Sequence, residues 1–155
     1  MMYKKILVPL DGSLRAEAIL PHVESLALRF NAEVALLYVD AGSDLMFERD
    51  EVPDVDSFLD TRRRLIKKHH LYLQAIADKW QSTGIAAEVR IARGAVVAGI
   101  INAAKQTSAD LVAMASHGEG GEERTFYGSV AVSVLNRIDR PLLLIRSRYL
   151  KPSAS

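Results

Sequence analysis

Cysteine is absent from all 155 residues. That removes disulfides, thiolate metal sites and thiol nucleophiles, and nothing in the chain requires an oxidising compartment. Neither sign of charge is in excess, because 20 basic side chains stand against 19 acidic ones and leave +1. Bulk charge therefore recruits neither nucleic acid nor a membrane surface. Long apolar runs are missing as well: MMYKKILVPLDG carries only about five apolar residues between Lys5 and Asp11, too few for a signal-peptide core or a membrane span. The expected location is cytoplasmic. What is present is an ordinary globular composition, 49% hydrophobic and 25% charged, in a chain long enough to bury its own core. We expect one domain over residues 1–147 and a fraying tail, KPSAS included, over residues 148–155.

Lys5 to Leu10 (KILVPL) and Glu33 to Val39 (EVALLYV) are continuous apolar runs, the pattern of parallel strands buried on both faces. Between them Ala16, Ile19, Leu20, Val23, Leu26, Ala27 and Phe30 form one helical stripe, with Ser13 as N-cap and a kink expected at Pro21. Residues 41–57 are polar and acidic and read as a long surface connection. A helix is expected over Phe58 to Gln81, with Leu73, Ile76, Ala77 and Trp80 inward. Arg62, Arg63 and Arg64 are expected on its solvated face, and His69 and His70 at the surface. Adjacent histidines point in different directions and do not make an i, i+4 zinc pair.

The strand EVRIA (Glu88 to Ala92) is followed by a helix opened by Gly94, with Val97, Ile100, Ile101 and Ala104 on its stripe. LVAMA (Leu111 to Ala115) is the fourth strand; Val130, Val134, Leu135 and Ile138 mark the last helix, and LLLIR (Leu142 to Arg146) the last strand. Five strands alternating with four helices predict an α/β fold, a single open parallel sheet covered on both faces.

Between the fourth strand and the last helix lies MASHGEGGEERTFYGS, Met114 to Ser129. In an open α/β sheet, ligands sit at the carboxyl ends of strands where the winding reverses. Helix starts offer unpartnered N–H groups and the positive end of the dipole. Glycines at 118, 120, 121 and 128 let the chain adopt positive φ and bring backbone amides close to a ligand without a Cβ in the way, and phosphate is the natural guest. Glycine content alone fits a plain flexible loop equally well.

Spacing favours the phosphate. Ser116-His117-Gly118, nine residues, then Gly128-Ser129 resembles the second half of the nucleotide-binding signature of the universal stress protein family. The resemblance extends to VPLDGS (Val8 to Ser13), to AEV with LLYV (Ala32 to Val39), and to PLLLIR (Pro141 to Arg146), covering about residues 3 to 147. It implies a five-stranded parallel sheet in order 3-2-1-4-5, of the Rossmann-like, adenine nucleotide alpha hydrolase-like kind. It implies further that Pro9, Leu10 and Asp11 line the adenine and ribose and that Val39 closes the adenine side. Ala115 and Gly118 would approach the phosphates through their backbone, and Gly128, Ser129 and Val130 would cradle them, with Met114 and His117 completing the set. The chain departs from the signature at Ala115, where the family has a glycine, and in the acidic residues Glu119, Glu122 and Glu123, offset by Arg124 alone. Carboxylates near a triphosphate point outward, recruit Mg²⁺, or favour a ligand with fewer phosphates.

Individual residues keep two readings. Asp11 meets a ribose hydroxyl or a metal-bound water, or it caps the first helix. Ser129 gives its hydroxyl to phosphate and also suits an N-cap. His117, with no nucleophile or orienting carboxylate apparent beside it, is expected to donate a hydrogen bond within the loop and not to serve as an acid or base. No catalytic constellation and no metal-ligand set is expected from the chain, and slow hydrolysis of Mg²⁺-bound ATP is the most an enzyme reading supports. The resemblance implies a homodimeric stress-response protein that binds ATP, or AMP or ADP. The alternative is a nucleotide-free dimeric scaffold of the same fold. Residues 142–146 at a sheet edge would supply the dimer contact.

Overall fold

The apolar runs become strands in a computed structural model that describes residues 2–42, 55–118 and 128–147. The strands are β1 (Lys5–Pro9), β2 (Glu33–Asp40), β3 (Ala87–Arg93), β4 (Leu111–Ala115) and β5 (Leu142–Ile145). The helices are α1 (Leu20–Phe30), α2 (Val55–Ser82), α3 (Val96–Gln106) and α4 (Ser129–Arg137). All strand pairs are parallel, in the order β3-β2-β1-β4-β5. The register sets Ile6 beside Val34 on one side and Leu111 on the other. At the entry to β1 the Asp110 carboxylate accepts the Lys4 N–H at 2.7 Å, which pins the start of β1 beside β4.

Strand residues alternate between two cores because successive side chains leave opposite faces of a sheet. Ile6, Val8, Val34 and Leu36 pack with Val23 and Ala27 of α1 and with Leu73, Ala77 and Trp80 of α2. Leu7, Ala35, Leu37 and Val112 pack on the other face with Ile100 and Ala104 of α3 and with Ala131 and Val134 of α4. Each fully buried leucine or isoleucine contributes about 1.5–3 kcal/mol of transfer free energy, so the two cores together fix where the strand ends lie. Among the described residues no helix is long and apolar enough to cross a membrane.

Several local expectations are corrected. The first helical stripe is a 3-10 turn, Ala16–Ile19, joined to α1, so no kink interrupts a continuous helix. Pro21 occupies the second position of α1, where its missing N–H leaves no helical bond unmade. Ser13 Oγ accepts the Ala16 N–H at 3.2 Å, but the N-cap of the 3-10 turn is Arg15 and not Ser13. α2 begins three residues earlier than expected, and Gly94, with φ +115°, precedes α3 with Ala95 intervening as its N-cap. Arg62 is not on a solvated face: its Nε lies 3.0 Å from Oδ2 of the buried Asp40 at the end of β2, whereas Arg63 and Arg64 are exposed. Nor is His69 at the surface. Its ring stacks on Tyr38 at 3.8 Å and 10°, and only His70, turned about 100° round the helix, faces solvent. Leu135 is 53% exposed, although α4 packs against α3 and buries Ala131 and Val134.

Candidate functional site

In the order 3-2-1-4-5 the chain leaves β1 toward β2 on one side and leaves β4 toward β5 on the other, so the connections after β1 and β4 diverge and open a crevice. A cleft of ≈ 260 Å³ lies there. Pro9, Leu10 and Asp11 line it from the end of β1, Val39 from the end of β2, and Met114, Ala115, His117 and Gly118 from the end of β4. Gly128, Ser129 and Val130 line it from the start of α4. Every residue expected at the site is therefore brought to one concavity. The expectations for Glu119, Glu122, Glu123 and Arg124, for glycines 120 and 121, for most of the 41–57 connection and for the 148–155 tail lie outside the described residues.

One end of the cleft is apolar. Leu37, Val39, Val96, Ile100, Met114 and Ala131 line it, and most of them also belong to the α3/α4 core. The other end is built of polar backbone and small polar side chains: Ser116, His117, Gly118, Gly128 and Ser129. Among the described lining residues Asp11 is the one carboxylate and His117 the one imidazole. Leu37, Val96, Ile100 and Ala131 escaped sequence reasoning because they are core positions on three separate elements. Their sole signal was that they sit in the carboxyl half of a strand or in the first two turns of a helix.

The two glycines act through close approach and not through left-handed backbone. Neither has a positive φ; Gly128 sits at φ −69°, ψ 162° as the N-cap of α4. A Cβ on Gly118 would overlap the Asp11 carboxylate. A Cβ on Gly128 would stand 3.0 Å from the Ser116 carbonyl oxygen, which already accepts the Gly128 N–H at 2.8 Å. Among the described residues no side chain caps α4, and Gly128, Ser129 and Val130 at its start line the cleft, where first-turn N–H groups lack intrahelical partners.

Asp11 Oδ1 accepts the Ser13 N–H at 2.9 Å, which fixes the turn after β1 and does not cap the first helix, whose N-cap is Arg15. His117 is buried, its Nδ1 3.0 Å from Ser116 Oγ, in keeping with the hydrogen-bonding role expected of it. The Tyr72 hydroxyl of α2 is shut off from solvent beside the Glu17 carboxylate, without a well-formed hydrogen bond among the described residues. Burial first, then Glu17 and Asp11, push its ionisation well above the usual tyrosine range. No group of three or more His, Asp or Glu side chains converges on a metal position among the described residues.

The universal stress protein family model matches residues 2–146. The chain belongs to the universal stress protein family. Universal stress protein YxiE of Bacillus subtilis is 29% identical over 150 residues, spanning 94% of this chain and all of that protein. The solved structure of MJ0577, from Methanocaldococcus jannaschii, superposes with a TM-score of 0.84 at 25% identity, covering 97% of this chain and 100% of that one. A universal stress protein from Archaeoglobus fulgidus, solved in complex with dAMP, shares the fold with a TM-score of 0.64 at 19% identity, over 94% of this chain and 99% of its own. The strand order expected from the resemblance is the one observed, and nucleotide binding occurs within the family.

Proposed function

We propose that the protein is a homodimeric regulatory module that binds an adenine nucleotide, ATP first among the candidates, in the cleft between β1 and β4. The observation that carries this reading is the make-up of the cleft: apolar side chains of the α3/α4 core along part of its wall, and polar backbone approached closely at Gly118 and Gly128. At ≈ 260 Å³ the cleft is near the small end of the range for ligand pockets, about 300–1,000 Å³. It suits a nucleoside held inside with its phosphates reaching toward the open rim at α4.

In this reading Leu10 and Val39 hold the base, with Met114 beside them, and Asp11 meets the ribose or a metal-bound water. The phosphates rest on the N–H groups of residues 128–130, where the helix dipole favours an anion by about 0.3–1 kcal/mol. A glycine at 118 fits this role, since any side chain there would displace the Asp11 carboxylate. Ala115 is buried in β4, and its N–H and carbonyl belong to a strand that continues the sheet, so its methyl is accommodated within the cleft wall. With one carboxylate and no lysine or arginine among the described lining residues, a triphosphate would be accompanied by Mg²⁺ as its counter-charge. The dAMP held by the Archaeoglobus fulgidus relative supports an adenine nucleotide and leaves a monophosphate as the second candidate.

The test is mass spectrometry of small molecules released on denaturing protein purified without added ligand. The reading expects an adenine nucleotide in substantial proportion to protein. An extract free of nucleotide, from protein that also fails to take up added ATP or AMP, would leave the nucleotide-free scaffold as the better account.

A further inference from the structure

Ser147 lies two residues beyond β5, the edge strand, yet it is only 9% exposed and its hydrogen bonds reach neither solvent nor its own strand. Its N–H donates to Ser116 Oγ at 3.1 Å. Its hydroxyl is 3.0 Å from the Arg15 carbonyl and 3.2 Å from the His117 carbonyl, and the His117 N–H approaches the same oxygen at 3.4 Å. Arg15 belongs to the connection after β1 and His117 to the connection after β4. These are the two segments whose divergence opens the cleft.

Ser116 extends the linkage. Its N–H donates to the Ile145 carbonyl at 2.7 Å, its Oγ receives the Ser147 N–H, and its carbonyl receives the Gly128 N–H. One side chain just past the last strand thus contacts both rims, and the Ser116 backbone passes that position to Gly128, the N-cap of α4. A hydroxyl suits this place because its single proton reaches one of the two carbonyls while its oxygen accepts the His117 N–H, whereas a methyl would forfeit both contacts.

We infer that Ser147 is a positioning residue for the nucleotide cleft, a clasp that sets the separation of the β1 and β4 connections from the end of the edge strand. The inference rests on the adenine-nucleotide reading for its functional meaning and on hydrogen bonds alone for its geometry. Ser147 touches no ligand in this reading; it acts through Ser116, His117 and Arg15.

The experiment compares Ser147→Ala with Ser147→Thr, which keeps the hydroxyl, after circular dichroism establishes that each is folded. In nucleotide-free protein the amides of His117 and Gly128 should exchange with solvent about tenfold faster in Ser147→Ala, the scale of one lost buried hydrogen bond, and Ser147→Thr should restore protection. A fluorescent ATP analogue should bind Ser147→Ala about tenfold more weakly for the same reason. Unchanged exchange at both amides in Ser147→Ala would overturn the inference, and so would a threonine variant indistinguishable from the alanine one. Failure of the unaltered protein to bind the analogue would count against the nucleotide reading instead, while the exchange result still decides whether Ser147 holds the two connections.

Discussion

Gly118 stands against the Asp11 side chain so closely that a Cβ in its place would overlap the carboxylate. Those two residues lie 107 positions apart and belong to the two connections that flank the cleft, so the space available to one is set by the other. Gly118→Ala should push Asp11 out of its turn and strain the loop by about 1–3 kcal/mol. We expect adenine nucleotide affinity to fall by about tenfold or more with the fold retained, as calorimetric titration against the unaltered protein would show.

Asp40 is buried at the end of β2 and is paired with Arg62 of α2. Removing the cation leaves a carboxylate inside the protein with the Gly42 N–H as one remaining donor. Because Arg62 itself is partly exposed, the loss is smaller than for a fully buried pair. Arg62→Ala should cost about 1–3 kcal/mol, read as a lower urea midpoint at unchanged slope. An Asp40→Asn, Arg62→Ala double variant should recover part of that loss.

The Tyr72 hydroxyl ionises above its ordinary value of 10.0, chiefly because it is buried. The folded state holds this proton more tightly than the unfolded chain does. Its contribution is therefore complete below about pH 10 and is lost as pH rises from there toward the folded-state value. Tyr72→Phe removes the proton altogether. The variant should match the parent within about 1 kcal/mol near neutral pH, since the hydroxyl lacks a well-formed partner, and should lose less stability than the parent above pH 10 in alkaline denaturation.

β5 forms one edge of the sheet, and Leu143 and Leu144 are each half-buried there on opposite faces. An apolar edge of this kind is open to pairing with a second copy. If the dimer forms through it, Leu144→Asp should give monomer or aggregate in sedimentation velocity. An unchanged dimer would move the interface elsewhere.

The sheet was legible because buried parallel strands are written as unbroken apolar runs: LVAMA is β4 to the residue, and the start of α4 falls at Ser129 after Gly128 as the glycine spacing indicated. Alternation alone carried the layer arrangement, while the strand order needed the family resemblance, because nothing local distinguishes β1-β4 pairing from other neighbours. The polar end of the cleft was legible for the same reason as the strands: it is contiguous in sequence. Its apolar wall was not, since Val96 and Ile100 reach it from α3 and read as core wherever they stand. Contacts across a helix were the least visible. Three consecutive arginines and two consecutive histidines look uniform as strings, yet a helix turns each by about 100°, so Arg62 meets Asp40 and His69 meets Tyr38 while their neighbours face water. The positive φ expected at Gly118 and Gly128 is not adopted, and their close approach to Asp11 and to the Ser116 carbonyl could not be read locally because it depends on segments far away in the chain.

The central claim is that backbone amides at the carboxyl end of β4 and the start of α4 receive the phosphates of an adenine nucleotide. Isotope-labelled protein titrated with ATP, and separately with AMP, reports this directly through the amide signals of Gly118, Gly128, Ser129 and Val130. The account predicts that these four shift in a saturable way along with Asp11 and Val39. Saturation with no change at Gly118 and residues 128–130, or shifts confined to another face of the sheet, would contradict it.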